Sequence, residues 1–106
     1  MQRVAGEVKF DDALAGYVLD IVQQTRDHEV VQVGVSPRGA IALRRAAQSR
    51  ALLDGRDYCI PEDVRALAVD VLSHRLMVDP RQLRARGGEE TAWIVREILE
   101  QTSVPL

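Results

Sequence analysis

Two prolines and one glycine fix where helices begin and end in the middle of the chain. Ser36 followed by Pro37 predicts a helix start, with serine as the N-cap and proline at the first helical position, where a missing N–H costs nothing. Gly55 suits the left-handed position that ends a helix. Pro61 then starts another helix, and the two acidic residues after it favour the positive helix end. The middle of the chain is therefore predicted to form two helices joined by a short link.

Apolar residues spaced three and four positions apart predict two further helices. The first runs from about Asp12 to Arg26, with Asp11 as its N-cap, and the last runs from about Glu89 to Gln101. The inward-facing positions are Phe10, Leu14, Tyr17, Val18, Ile21 and Val22 in the first helix and Thr91, Ile94, Val95, Ile98 and Leu99 in the last.

The stretches between these helices complete the expected architecture. Extended segments are predicted at 30–35 and 75–78, and a polar loop or short helix at 81–88. The sequence thus predicts a mainly α-helical fold, a small bundle of four to five helices with room for a short two-stranded β ribbon. No internal boundary is visible, so residues 1–106 are expected to form one domain.

Length and charge exclude several classes of function. The chain has 106 residues, 14 basic and 16 acidic side chains and a net charge of −2. A P-loop nucleotide hydrolase needs several βαβ units of about 30 residues each, and the G-x-x-x-x-G-K-[ST] motif is absent from this sequence. The slightly acidic balance disfavours a broad surface for nucleic acid or for an anionic membrane.

The sparse cysteine and histidine content argues against a disulfide or a metal site. Cys59 is the lone cysteine, and His28 and His74 lie far apart without neighbouring ligands. No segment has the pattern of a signal peptide or the roughly 18 apolar residues of a membrane span. We therefore expect a cytoplasmic protein without a metal ligand, a nucleic-acid partner or a membrane partner.

Arg38 is the residue whose position points to a ligand. It falls in the first turn of the helix that begins at Pro37, where the helix dipole already provides positive charge. An anion such as phosphate would interact favourably with both, whereas a solvated arginine is the alternative. Thirteen of the 14 basic residues are arginine, which biased composition explains as well as function does. No nucleophile with its base is visible, so self-contained catalysis is not expected.

Several motifs in a fixed order carry a family resemblance. They are Gly34–Leu43 (GVSPRGAIAL), Arg45–Gln48 (RAAQ), Gly55–Tyr58 (GRDY), Pro61–Ala68 (PEDVRALA) and His74–Leu76 (HRL). From about Val4 to Thr102, the chain resembles the C-terminal lid domain of MoxR-type AAA+ ATPases. The resemblance implies that residues 1–106 are a helical lid and that the nucleotide-binding core lies on a segment outside this sequence.

The resemblance also implies roles for two residues. Arg38 occupies the sensor-2 position, whose arginine reaches from the lid to the γ-phosphate of ATP, and Pro37 would lie near the adenine. ATP and Mg²⁺ would be bound in the full-length protein, not by this part alone. The implied partners are the protein's own core domain and neighbouring subunits of a ring, expected to be a hexamer. The implied role is chaperone-like maturation of a client protein that the sequence does not identify.

Two departures from the family pattern affect helix starts and kinks. Ile60 stands where the family usually has threonine or serine, so the helix at Pro61 is expected to lose a side-chain cap at a cost of about 1 kcal/mol. Val69 and Asp70 stand where many relatives carry proline, which predicts a continuous helix.

Other residues leave alternatives open. Arg45 lies on the same stripe as Arg38 and either extends a basic face or, more in keeping with surface arginines, forms an ion pair. Trp93 is either an interface anchor or packs against the loop at 81–88. His28 is expected to be solvated.

Two other classes of function compete with the lid. A histone-fold-like module for DNA binding or dimerisation is suggested by the segment 56–66, although such DNA-binding versions are strongly basic. A stand-alone helical adaptor is the other alternative.

Overall fold

The computed structural model describes residues 4–85 and 91–105. Over these residues the chain is mainly helical, with helices α1 Asp12–Asp27, α2 Pro37–Leu53, α3 Pro61–Leu72, α4 Pro80–Ala85 and α5 Ala92–Gln101. Two strands, β1 Val31–Val33 and β2 Met77–Val78, and two short 3-10 turns, Ala5–Glu7 and Ser73–Arg75, complete the described part. The predicted small helical bundle with a two-stranded ribbon is confirmed.

The helix starts follow the sequence signals with one correction. The Leu14 N–H donates to Asp11 Oδ1 at 2.8 Å, which confirms Asp11 as the cap of α1. Ser36 occupies the N-cap position of α2, but its hydroxyl makes no cap hydrogen bond. The expectation of a serine side-chain cap was wrong, because the Ser36 carbonyl alone serves the first turn, accepting from the Gly39 N–H at 2.9 Å.

The helix ends also agree with the sequence, apart from one segment. Gly55 follows α2 with φ of +78°, the left-handed geometry expected of it. Helix α3 is continuous from Pro61 to Leu72, as Val69 and Asp70 predict. The predicted last helix began at Glu89, which lies outside the described residues, and α5 is seen from Ala92. The polar stretch at 81–88 contributes to α4, and its last three residues lie outside the described part.

The β ribbon joins two connections that are far apart in sequence. Strands β1 and β2 pair antiparallel, with Val31 opposite Val78 and Val33 opposite Met77, and the register is irregular between the two pairs. The ribbon ties the segment before α2 to the segment after the second 3-10 turn.

The core lies between four of the helices. Ile21, Leu43, Val64 and Ile94, from α1, α2, α3 and α5, are completely buried. Helix α2 packs against both α1 and α3, and α5 packs against α1 and α3. Because α2 is held on two sides, its first turn has a fixed position on the surface of the bundle.

Candidate functional site

The segment that leads into α2 is pinned to the end of α1. The Val35 N–H donates to the Thr25 hydroxyl at 3.0 Å, and that hydroxyl donates to the Val22 carbonyl at 2.6 Å. The Arg26 guanidinium donates to the Val35 carbonyl at 3.3 Å. Thr25 and Val35 are completely buried, so the two hydrogen bonds of the Thr25 hydroxyl are shielded from water. They hold the start of α2 against α1.

Gly34 allows this close approach. A Cβ built at Gly34 would lie 2.6 Å from the Arg26 Cγ and 2.9 Å from the Arg26 Cα and N. Because two of these three atoms are backbone atoms, a side chain at residue 34 would push the segment away from α1. The glycine therefore helps to set the position of the first turn of α2.

Arg38 is exposed in that first turn. It makes no ion pair with any described residue, and the first turn of α2 contains no acidic residue. The first turn of α2 therefore combines the positive end of the helix dipole with a guanidinium that has no ion-pair partner among the described residues. An anion with several oxygen atoms, such as a phosphate group, is the ligand that this arrangement suits best.

Pro37 faces an open groove of about 650 Å³ between α1 and α2. The groove is lined by Leu19, Asp20, Val22, Gln23, Arg26, Pro37, Ala40 and Ile41. Leu19 and Ile41 are 63% and 52% exposed, so the groove presents apolar surface to solvent. Pro37 thus lines a partly apolar groove, and Arg38 follows it in the chain as an exposed residue outside the groove lining.

A family model for the AAA lid domain matches residues 23–98, which extend from α1 into α5. The chain belongs to the AAA lid domain family. Its likeness to several MoxR proteins identifies it as a lid of the MoxR type of AAA+ ATPase. This membership replaces the histone-fold-like alternative.

Individual relatives support the same assignment. Over 106 residues the lid is 48% identical to the uncharacterized protein YeaC of Bacillus subtilis strain 168, an alignment that covers 100% of this chain and 32% of that protein. It is 33% identical over 114 residues to chaperone MoxR1 of Mycobacterium tuberculosis, with 99% of this chain and 30% of that protein covered. Protein MoxR of Methylorubrum extorquens is 40% identical over 76 residues, with 72% of this chain and 22% of that protein covered.

A solved structure shows the same fold within a longer protein. It comes from Cytophaga hutchinsonii and is assigned as an ATPase, with a TM-score of 0.86 and 29% identity. The alignment covers 96% of this lid and 33% of that chain. The lid thus spans about a third of the length of YeaC, of MoxR1 and of this solved chain.

The described part of the lid contains neither a cluster of metal-ligand side chains nor a membrane-spanning helix. No three or more histidine, cysteine, aspartate or glutamate side chains at 4–85 and 91–105 are grouped so that they could hold a metal ion. Within the same residues, no helix combines the length and the apolar character needed to cross a membrane.

Arg45 lies two turns further along α2 than Arg38 and is also exposed. It forms no ion pair with any described residue, so the surface ion pair favoured by sequence is not found in this part of the lid. Arg38 and Arg45 are thus exposed arginines of α2 without an ion-pair partner in the described part of the lid, whereas the Arg44 guanidinium lies over the Phe10 ring at 5.0 Å.

A buried carboxylate at the start of α3 was missed by the sequence interpretation. Asp63 is completely buried and accepts hydrogen bonds from Arg50 at 2.7 Å, from Arg56 at 2.7 and 2.8 Å and from the Ile60 N–H at 2.8 Å. The last bond is one half of a capping box, in which Asp63 accepts from the N-cap backbone N–H, while the Ile60 side chain provides no cap, as the sequence predicts. Burial alone would raise the pKa of Asp63, but the hydrogen bonds from Arg56, Ile60 and Arg50 lower it to about 2. The side-chain hydrogen bond with Asp63 has the opposite effect on the base and raises the pKa of Arg56.

His28 makes a second polar contact between helices, with Glu97, and an aromatic contact with Trp93. The expectation that His28 is solvated was wrong, because its side chain is 11% exposed and its Nε2 lies 2.9 Å from Glu97 Oε2. The Val30 N–H donates to His28 Nδ1 at 3.2 Å, so in neutral His28 the proton is on Nε2, which donates to Glu97. Trp93 is half-buried and meets His28 edge to face at 5.9 Å, and its Nε1 finds no hydrogen-bond partner among the described residues.

Proposed function

We propose that this lid closes over ATP held, together with Mg²⁺, by an AAA+ core domain on the same polypeptide. In that closed state Arg38, at the sensor-2 position, contacts the γ-phosphate and supports ATP hydrolysis. The observation that carries the proposal is the exposed guanidinium of Arg38 in the first turn of α2, without an ion pair to any described residue.

The chemistry of phosphoryl transfer supports this role. Negative charge develops on the oxygens of the transferred group, and a fixed guanidinium stabilises that charge through paired N–H donors. Such stabilisation is most effective when the donor is already in place before the reaction. The buried hydrogen bonds of Thr25 and Val35 hold the turn that carries Arg38, so little reorganisation is needed when the lid closes.

The groove beside Pro37 supports a contact with the nucleobase. Leu19 of α1 and Ile41 of α2 give this groove exposed apolar surface, and Ile41 lies about one helical turn after Arg38. A planar base packs well on such a surface, whereas the phosphates require the cationic end of α2. We therefore assign Pro37 to the adenine side of the nucleotide and Arg38 to its phosphate side.

Membership of the family supports a proposal for the wider role. We propose that closure of the lid is transmitted to neighbouring subunits in a ring, a hexamer, in the cytoplasm, and that the ATPase acts as a chaperone in the maturation of client proteins. The relative named chaperone MoxR1 supports this part of the proposal. The lid by itself should hydrolyse no ATP, because its sequence contains no G-x-x-x-x-G-K-[ST] phosphate-binding loop.

The proposal is tested by ATP turnover of the full-length protein. Arg38→Ala should lower kcat by about 10²-fold, the size of effect seen when one preorganised donor to a developing anion is removed. Arg38→Lys should give an intermediate rate, because lysine keeps the positive charge but lacks the planar pair of N–H donors of a guanidinium. Arg96→Ala is the matched control, since Arg96 is an exposed helical arginine on α5. An unchanged kcat in Arg38→Ala would overturn the sensor role.

The genomic reading frame tests the domain arrangement independently. The proposal requires a segment with a P-loop upstream of this lid in the same polypeptide. A reading frame without such a segment would contradict the proposal and favour the stand-alone adaptor.

A further inference from the structure

Arg75 brings a second guanidinium to the first turn of α2. It is the last residue of the 3-10 turn Ser73–Arg75, which follows α3. A Cβ built at Gly39 would lie 3.2 Å from the Arg75 Cδ, so the aliphatic part of Arg75 crosses the bare backbone of Gly39. Gly39 is the residue next to Arg38. Arg38 therefore belongs to a helical turn of α2 beside which the Arg75 side chain passes, although Arg75 comes from beyond α3.

One of the nitrogen atoms of Arg75 has a structural partner. Its Nε donates to the Val71 carbonyl in the last turn of α3 at 3.1 Å, the usual contact of a basic side chain with a helix C-terminus. The side chain is exposed, and no described carboxylate pairs with Arg75 or with Arg38. The hydrogen bond to Val71 therefore orients the guanidinium and leaves its two terminal nitrogen atoms available.

The charges at this turn favour an anion. Two guanidinium groups and the positive end of the α2 dipole repel one another in the absence of a negative partner. A polyphosphate removes that repulsion and offers enough oxygen atoms for both arginines. A cap for α3 explains only the hydrogen bond of the Arg75 Nε, and it leaves the two terminal nitrogen atoms without a partner among the described residues.

We propose that Arg75 is a second phosphate-binding residue of the lid, which contacts the terminal phosphate of ATP together with Arg38. This inference rests on the proposed function, because it requires the lid to close over ATP. It adds a residue from outside α2 and makes the closed state depend on the end of α3 as well as on α2.

The decisive variant is Arg75→Gln in the full-length protein. The glutamine amide nitrogen follows Cδ just as the arginine Nε does, so it can keep the hydrogen bond to the Val71 carbonyl while the charge and the terminal nitrogens are lost. We expect the Kd for ATP, measured with a fluorescent ATP analogue and by competition with ATP, to rise about tenfold, or about 1.4 kcal/mol. Thermal unfolding should be unchanged, and Arg96→Ala should bind ATP like the wild type.

A double-mutant cycle tests whether the two arginines share one phosphate. Arg38→Ala combined with Arg75→Gln should weaken ATP binding by less than the product of the two single effects. Wild-type affinity in Arg75→Gln would overturn the inference and leave Arg75 as a cap of α3. If Arg75→Gln binds ATP normally while Arg38→Ala still loses turnover, only the second site fails. If Arg38→Ala also keeps full turnover, the proposed function fails as well.

Discussion

Arg56 binds both carboxylate oxygens of Asp63, with Nη1 2.8 Å from Oδ2 and Nη2 2.7 Å from Oδ1. Arg50, near the end of α2, donates to the same carboxylate at 2.7 Å. This cluster fixes the end of α2 to the start of α3, whereas Thr25 fixes the start of α2 to α1. Helix α2 is therefore anchored at both ends, as a helix must be if it is to carry a ligand contact through a rigid-body movement of the lid.

The cluster predicts how stability depends on acid. The folded pKa of Asp63 is about 2, below the value of about 3.9 for an unfolded aspartate. Its contribution to the free energy of unfolding is thus complete above about pH 4 and is lost as the pH falls through the folded pKa. Asp63→Asn should cost about 3 kcal/mol at pH 7, because it leaves two arginines without their shared partner.

Urea unfolding of the wild type and of Asp63→Asn at several pH values measures this contribution. The difference between the two proteins should be constant from pH 7 to about pH 5 and should shrink towards pH 2. A difference that does not change with pH would show that the Asp63 charge contributes nothing.

Two glycines in helices should respond to alanine in opposite directions. A Cβ at Gly39 would lie 2.3 Å from the Cγ1 of Val35, which is completely buried, so Gly39→Ala should destabilise the lid by about 1–3 kcal/mol. A Cβ at Gly16 in α1 meets nothing within 4 Å, so Gly16→Ala should stabilise the lid by about 0.4–1 kcal/mol. Thermal unfolding measures both, and equal shifts in Tm would contradict the packing at Gly39.

The thiol of Cys59 should react slowly with alkylating reagents in the folded lid. Its side chain is buried, and burial, followed by the charge of Asp63, raises the pKa of its thiol to about 11. Alkylation by iodoacetamide at pH 8 should be far slower in the native protein than in denaturant. Equal rates in the two conditions would show that the segment at Cys59 opens freely.

The sequence predicts well the features that depend on neighbouring residues. Asp11, Pro37 and Gly55 define helix ends through local geometry, and the structure has those ends where the sequence places them. The position of Arg38 in the first turn follows from the same local signals. These features need no knowledge of which helices pack together.

Features that depend on packing could not be predicted in this way. The hydrogen bond of His28 to Glu97 joins α5 to the end of α1, and that of Arg50 to Asp63 joins α2 to α3. The passage of Arg75 over Gly39 likewise requires the 3-10 turn to lie beside α2. A lone histidine or one of 13 arginines carries no sequence signal for such contacts. The sequence feature most closely related to this contact is Gly39 itself, because a glycine within a helix indicates that another group comes close to the backbone.

The affinities of the full-length Arg38→Ala protein for ATP and for ADP test the central claim most directly. If Arg38 contacts the γ-phosphate, the Kd for ATP should rise about tenfold, or about 1.4 kcal/mol, because only ATP has that phosphate. The Kd for ADP should be unchanged. Equal changes for both nucleotides, or no change for either, would contradict the assignment of Arg38 to the γ-phosphate.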